Sequence, residues 1–190
     1  MKLFLLSFMV VSLQCLVSDR TKMPVAQEAG KEIDKQVAWR DWHTYFENDT
    51  RPDRKILLKV YTDWCTWCRR MEEQTFSAPH IATFINEKFY PVKFNAETKE
   101  DIVYKGKTYY YVKDGKRGHH ELAATLLQGR MSYPTLVFID EEGELIQCIV
   151  GFKTAEEFEM ILAYFYGNYY KKKPWSAFKR DYPSMRIVKD

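Results

Sequence analysis

Apolar positions along this chain change their spacing several times, and each change marks an element. Ala38, Trp42, Tyr45 and Phe46 recur at helical spacing, so Val37 to Glu47 is expected to be a helix with one apolar face. Lys55-Ile-Leu-Leu-Lys-Val-Tyr-Thr62 is a short branched and aromatic run behind Pro52, and its length fits a buried strand. From Cys68 the spacing is helical again through Met71 and Thr75. Ser77-Ala-Pro-His80 restarts a helix, with Ser77 as its cap and the proline in its first turn, and Ile81, Phe84 and Ile85 continue it. Tyr90 to Asn95 alternates as a strand does, and Pro91 places its start at an edge.

Ala96 to Gly118 breaks this rhythm. Charged residues surround Ile102 to Val112, with Lys105-Gly106-Lys107 at the middle and a turn at Asp114-Gly115. We expect a hairpin insertion that packs on its own domain or offers Tyr109, Tyr110 and Tyr111 to a partner. His119-His120 is expected to open a helix carrying Leu122, Leu126 and Leu127 and closed by Gly129. Adjacent residues point in different directions on a helix, so the two histidines are expected to face solvent rather than share a metal.

Thr135 to Asp140 and Leu145 to Val150, around Glu141-Glu142-Gly143, read as an antiparallel hairpin, with Cys148 as a buried core thiol. Thr154 to Glu157 is a capping box for a last long helix through Phe158, Ile161, Leu162 and Phe165. Residues 168–190 form a basic, aromatic tail, expected as a solvated short helix, with a docking site for an acidic partner as the alternative.

Candidate chemistry lies in Trp64-Cys65-Thr66-Trp67-Cys68, where the strand run stops and helical spacing begins. A cysteine at a helix N-terminus meets unpaired N–H groups and the positive end of the helix dipole, which favour the thiolate. Cys65 is therefore the candidate nucleophile. A cysteine three residues on is one turn away, within reach to close a disulfide or attack a mixed one, so Cys68 is the candidate resolving thiol. Structural zinc would need four ligands, and haem attachment would need histidine where Arg69 stands. An inert structural disulfide is the remaining alternative. No metal site is expected.

Composition narrows the class. With 190 residues, 46% of them apolar, the chain can bury a full core and is most simply one domain. Formal charge is only +3 and no basic stripe runs along an expected helix, so nucleic acid is not an expected partner. Met1-Lys2, the apolar run to Val11 and the mixed Ser12 to Ser18 have the order of a secretory signal, placing a signal peptide at 1–18 and a polar linker at 19–36. Leu16 makes a poor cleavage site, so an uncleaved membrane anchor is the alternative, and lipidation at Cys15 a minor one. Export to the periplasm, or beyond the cytoplasm otherwise, would put the cysteine pair where disulfides persist.

The order strand, Cys-x-x-Cys helix, strand, helix, proline-led hairpin and closing helix resembles the thioredoxin superfamily from Val37 to Tyr166. Arg69-Arg70-Met71-Glu72 and Thr75-Phe76-Ser77 after the pair are similar to exported bacterial thioredoxin-like proteins. They also resemble the periplasmic C-terminal domain of transmembrane thiol:disulfide interchange proteins. Tyr133-Pro134-Thr135 and Gly151-Phe152 strengthen the likeness.

It implies an α/β thioredoxin fold over 37–167, a central mixed sheet flanked by helices, with an N-terminal helix extension and a hairpin insertion at 96–118. It also implies a cis Pro134 facing the cysteines, and a substrate groove shaped by Trp64, Thr66, Trp67 and Tyr133. Many relatives carry a buried acid six positions before the first cysteine; here Lys59 stands there. If Lys59 faces Cys68, resolution needs another base or water; if it points to solvent, nothing follows.

The expected activity is that of an exported thiol:disulfide oxidoreductase acting on protein thiols and disulfides, monomeric and without a cofactor. The resemblance alone suggests a reductase fed by a membrane reductase. A dithiol oxidase or disulfide isomerase, and a binding module with a structural disulfide, are the alternatives. Potentials of such proteins span roughly 150 mV, and Thr66-Trp67 does not fix a value.

Overall fold

The structure is a computed structural model, and it describes residues 36–46 and 53–182. The expected signal segment, the linker up to Lys35, Glu47 and residues 183–190 lie outside the described residues. All described residues fall in one unit. Its centre is the strand run expected before the cysteines. Ile56, Leu57, Leu58, Lys59 and Val60 are all buried, which a strand can manage only with cover on both faces and neighbours on both edges.

With β1 (Arg40–Asp41), β2 (Ile56–Tyr61), β3 (Tyr90–Asn95), β8 (Thr135–Ile139) and β9 (Leu145–Val150), the main sheet runs in the order β1-β3-β2-β8-β9. The pairs of β3 with β1 and β2 are parallel, and those of β8 with β2 and β9 antiparallel. This is the expected mixed sheet of a thioredoxin fold.

Alternation along β2 and β8 divides the core. Leu57, Leu136 and Phe138 face an aromatic layer containing Phe76, Phe89, Phe158 and Phe165. Ile56, Leu58, Val60, Val137 and Ile139 face a more aliphatic layer with Leu122, Leu126 and Ile102.

The N-terminal helix is shorter than its spacing predicts, since Arg40 and Asp41 form β1 and only Trp42–Phe46 is helical (α1). Val37 and Trp39 join the aromatic layer and Trp42 the other one, so the chain must pass the sheet edge extended. A single helix could not serve both faces.

Helix α2 (Thr66–Met71) runs into a wider turn, Glu72–Phe76, closed by the Ser77 N–H on the Glu72 carbonyl at 3.1 Å. Ser77 is not the cap of α3 (Pro79–Lys88); its hydroxyl donates to the Glu73 carbonyl at 2.6 Å, and Ala78 precedes the helix.

The insertion holds two hairpins rather than one: β4 (Ile102–Tyr104) with β5 (Lys107–Tyr109), and β6 (Tyr111–Asp114) with β7 (Arg117–His120). Lys105 and Gly106, both at positive φ (49° and 74°), make the first turn, as a tight primed turn requires. His120 does not face solvent. It ends β7 fully buried and caps α4 (Glu121–Leu126), its ring accepting the Leu122 N–H at 3.2 Å.

Helix α5 (Ala155–Tyr166) starts with the full capping box expected at Thr154 and Glu157. The tail departs most from expectation. After a tight turn at Tyr169–Lys171, α6 (Trp175–Asp181) buries Phe178 completely among Tyr164, Tyr169 and Tyr182. The basic residues suggest a solvated segment, but the apolar stripe on their reverse side is core.

Candidate active site

Cys65 closes the loop after β2 and opens α2. Its N–H bonds the Thr62 carbonyl at 3.1 Å, its extended backbone makes it the helix cap, and its sulfur accepts the Cys68 N–H at 3.0 Å. Sulfur thus occupies the position that an oxygen usually fills, where N–H groups stabilise negative charge. Cys65 and Cys68 form a disulfide, with Cα atoms 5.2 Å apart. Cys65 and Cys68 are only 4% and 6% exposed, while Trp64 and Trp67 beside them are 46% and 51% exposed. A substrate therefore meets the tryptophans before it reaches a sulfur.

The other predicted groove residues are partly brought together. Trp64 meets Tyr133 edge to face at 6.0 Å and donates its indole N–H to Glu97 at 2.9 Å. Burial, with the charge of Glu97, pushes the Tyr133 phenol up to about 12, so it stays a hydrogen-bond donor at neutral pH. The Tyr133–Pro134 peptide bond is cis. Pro134 itself is buried and its carbonyl accepts the Gly151 N–H at 2.8 Å. Tyr133 makes no backbone hydrogen bond to another described residue. Thr66 is exposed, its hydroxyl 3.4 Å from the Arg69 guanidinium. Trp67 packs on Phe152 at 5.8 Å, a contact that sequence spacing alone does not reveal.

Lys59 answers the question its position raises. It is buried, lines one open cleft of about 330 Å³ with Cys68 and Thr62, and is ion-paired to Glu72. Its ammonium also lies 4.6 Å from the Trp39 ring and 5.2 Å from that of Tyr61. Burial, then the charge of Lys93 on the neighbouring strand, lowers its pKa to about 8. A carboxylate thus stands beside Lys59, contributed by the turn that follows α2. Glu72 stands four residues after Cys68, on the same helical face, which is the sequence signal that identifies it. Beside this pair, the Thr62 hydroxyl is buried with no hydrogen-bond partner among the described residues.

Cys148 lies apart, on β9, its thiol 3.3 Å from the Leu126 carbonyl and its pKa raised by burial. Among the described residues, no group of three His, Cys, Asp or Glu is placed to hold a metal ion, and no helix is long and apolar enough to cross a membrane.

The fold that carries this helix-capping cysteine pair is found in solved structures. A thioredoxin-fold protein from Helicobacter pylori is similar over 70% of this chain and 81% of its own, at 19% identity and a TM-score of 0.52. A thioredoxin from Thermus thermophilus is similar over 68% of this chain and 87% of its own, at 16% identity and a TM-score of 0.50. In sequence, human spermatogenesis-associated protein 20 is 31% identical over 67 residues, 35% of this chain and 8% of that protein. The chain thus matches only a small part of that relative. Residues 28–163 match the family model Thioredox_DsbH, described as a protein of unknown function, DUF255. The chain belongs to this Thioredox_DsbH family of the thioredoxin superfamily, and the fold together with its Cys65–Cys68 pair points to a thiol–disulfide redox function.

Proposed function

We propose that this protein is an exported thiol:disulfide oxidoreductase that reduces or exchanges protein disulfides through Cys65 and Cys68. The observation that carries the reading is the sulfur of Cys65 capping α2, bonded to Cys68 one turn below. Reduction of this disulfide by an external dithiol yields the working form. The Cys65 thiolate attacks one sulfur of a substrate disulfide; that S–S bond breaks, the leaving thiolate takes a proton, and a mixed disulfide remains. Cys68 then gives up its proton and attacks the Cys65 sulfur, releasing the second substrate thiol and restoring the Cys65–Cys68 bond.

Glu72 is the acceptor for the Cys68 proton, reached through water in the cleft that both line. Lys59 holds that carboxylate in place through their ion pair. The backbone groups of Tyr133, without a backbone partner among the described residues, offer a substrate segment an added-strand contact. Export rests on the order of residues 1–18, and a membrane reductase is the proposed electron donor.

Dithiothreitol-driven reduction of a disulfide-bonded peptide tests the reading. Cys65→Ser should abolish turnover, Cys68→Ser should accumulate mixed disulfide, and Glu72→Gln should slow release of that mixed disulfide about tenfold, a modest effect for a base acting through water. Turnover by Cys65→Ser at the wild-type rate would remove the nucleophile and the proposal with it.

A further inference from the structure

Three guanidinium groups surround the redox pair, and none forms an ion pair with another described residue. Arg117, from hairpin β6–β7, lies 4.2 Å over the Trp64 ring. Arg70 lies 5.1 Å over Trp67 and 5.8 Å from Phe152, its Nε donating to the Gln74 amide at 3.3 Å. Arg69 donates to the Asp63 carbonyl and to Thr66. Three nearby carboxylates are engaged elsewhere: Asp63 accepts from Asn95, Glu97 from the Trp64 indole, and Glu72 pairs with Lys59; Glu73 and Asp114, the latter opposite Arg117 in the hairpin, are exposed and form no ion pair with another described residue.

Both tryptophans beside the cysteines thus carry an arginine on one face. Stacking holds the guanidinium plane while leaving N–H groups at its edge, the part that grips a carboxylate through paired hydrogen bonds. Arg117 stands at the tryptophan before Cys65 and Arg70 at the tryptophan before Cys68. A segment reaching Cys65 must pass these side chains, because the sulfurs themselves are nearly covered.

We propose that this rim selects substrates whose reactive cysteine is flanked by acidic residues, with Arg117 and Arg70 as the specificity-determining residues. The inference rests on the thiol–disulfide reading above. It also gives the insertion a role, since hairpin β6–β7 brings Arg117 to a site that lies about fifty residues earlier in the chain. Lys113 and Lys116, exposed on the same hairpin, add to the positive rim.

The test uses the full chain, dithiothreitol as reductant and three disulfide-bonded peptides that differ only in two residues flanking each cysteine: Asp, Asn or Lys. At low salt kcat/KM should fall in the order Asp, Asn, Lys, with about tenfold between the ends, and the gap should close to about twofold in half-molar salt. In the double variant Arg70→Gln/Arg117→Gln the Asp-to-Lys ratio should drop to about twofold at low salt. The same charge change at Lys171 and Lys172, beyond the far end of α5, should leave the ratio at its wild-type value. Equal rates on all three peptides overturn the specificity, as does a ratio that survives in the double arginine variant. Failure of the wild-type chain to reduce even the Asn peptide removes the redox reading itself, a different result from reduction that ignores charge.

Discussion

Two stretches that depart from the sheet-and-helix frame have similar chemistry, tyrosines set among lysines and arginines, and they end in opposite roles. The 96–120 insertion turns its basic hairpin outward, and Arg117 reaches Trp64 at the redox pair. The segment after Gly167 turns inward, burying Phe178 and Tyr182 against α5 and bonding the Tyr182 hydroxyl to the buried Glu159 at 2.9 Å. Composition does not separate them. What separates them is whether the aromatic residue finds a complementary apolar face: α5 offers one to Phe178, whereas Tyr110 and Val112 on the hairpin stay exposed.

The largest effect that tests this contrast is on stability. Phe178 is completely buried and touches four aromatic rings, so Phe178→Ala should lower the unfolding free energy by about 3–5 kcal/mol, read as a shift of the denaturant midpoint. Redox turnover per folded molecule should not change. Turnover lost well before the fold is lost would tie the C-terminal segment to the site and end the contrast.

A smaller and more local effect is expected in the hairpin. A methyl group on Gly118 would lie 2.3 Å from the Val112 carbonyl oxygen and 2.4 Å from the Tyr111 hydroxyl, so Gly118→Ala must push β6 and β7 apart. Overpacking of this kind costs about 1–3 kcal/mol, but here it falls on one hairpin rather than on the main core. Amide exchange should accelerate over residues 111–120 and stay unchanged in β2 and β8. Uniform acceleration across the chain would mean that the hairpin belongs to the core after all.

The same contrast explains what the sequence reveals. Features written locally are legible: the strand run of β2, the cap at Cys65, the hairpin of β8 and β9, and the box at Thr154 and Glu157 each depend on neighbours within a few residues. Features set by distant partners are not. Phe178 looks like part of a solvated tail because its burial is created by α5. Arg117 has no local reason to matter until Trp64 lies under it. Glu72 is an intermediate case: helical spacing places it with Cys68, but attention to position 59 alone misses it, because its ion pair with Lys59 joins the turn after α2 to strand β2.

The smallest effect concerns pH, and it should separate the two stretches again. His120 is buried at the end of β7. One ring nitrogen accepts the Leu122 N–H at 3.2 Å, so the other carries the proton and donates to the Glu100 carbonyl at 3.0 Å. Protonation would cost α4 its cap. Burial lowers the His120 pKa, outweighing the Glu100 carbonyl and the charges of Glu121 and Asp101, while His119 lowers it further. The unfolded chain therefore binds this proton at a higher pH than the folded chain does. Stability from this group is complete above the ordinary histidine range and is lost as pH falls from that range toward the lowered folded value, by at most about 1.4 kcal/mol per pH unit for one proton.

On the C-terminal segment, Asp181 titrates in the same sense but over the lower pH range of a carboxylate. Lys173 first, and then Arg180, hold its carboxyl below the usual range, so its contribution persists until the pH falls through that lowered value. Mild acidification should loosen residues 111–122 while α6 stays docked, as amide exchange from pH 7 to 5 would show. His120→Asn keeps a side-chain oxygen for the Leu122 N–H and removes the titration, so the local pH dependence should flatten. If the slope over 111–122 is the same in that variant as in the wild type, the sensitivity belongs to another group and His120 is only a cap.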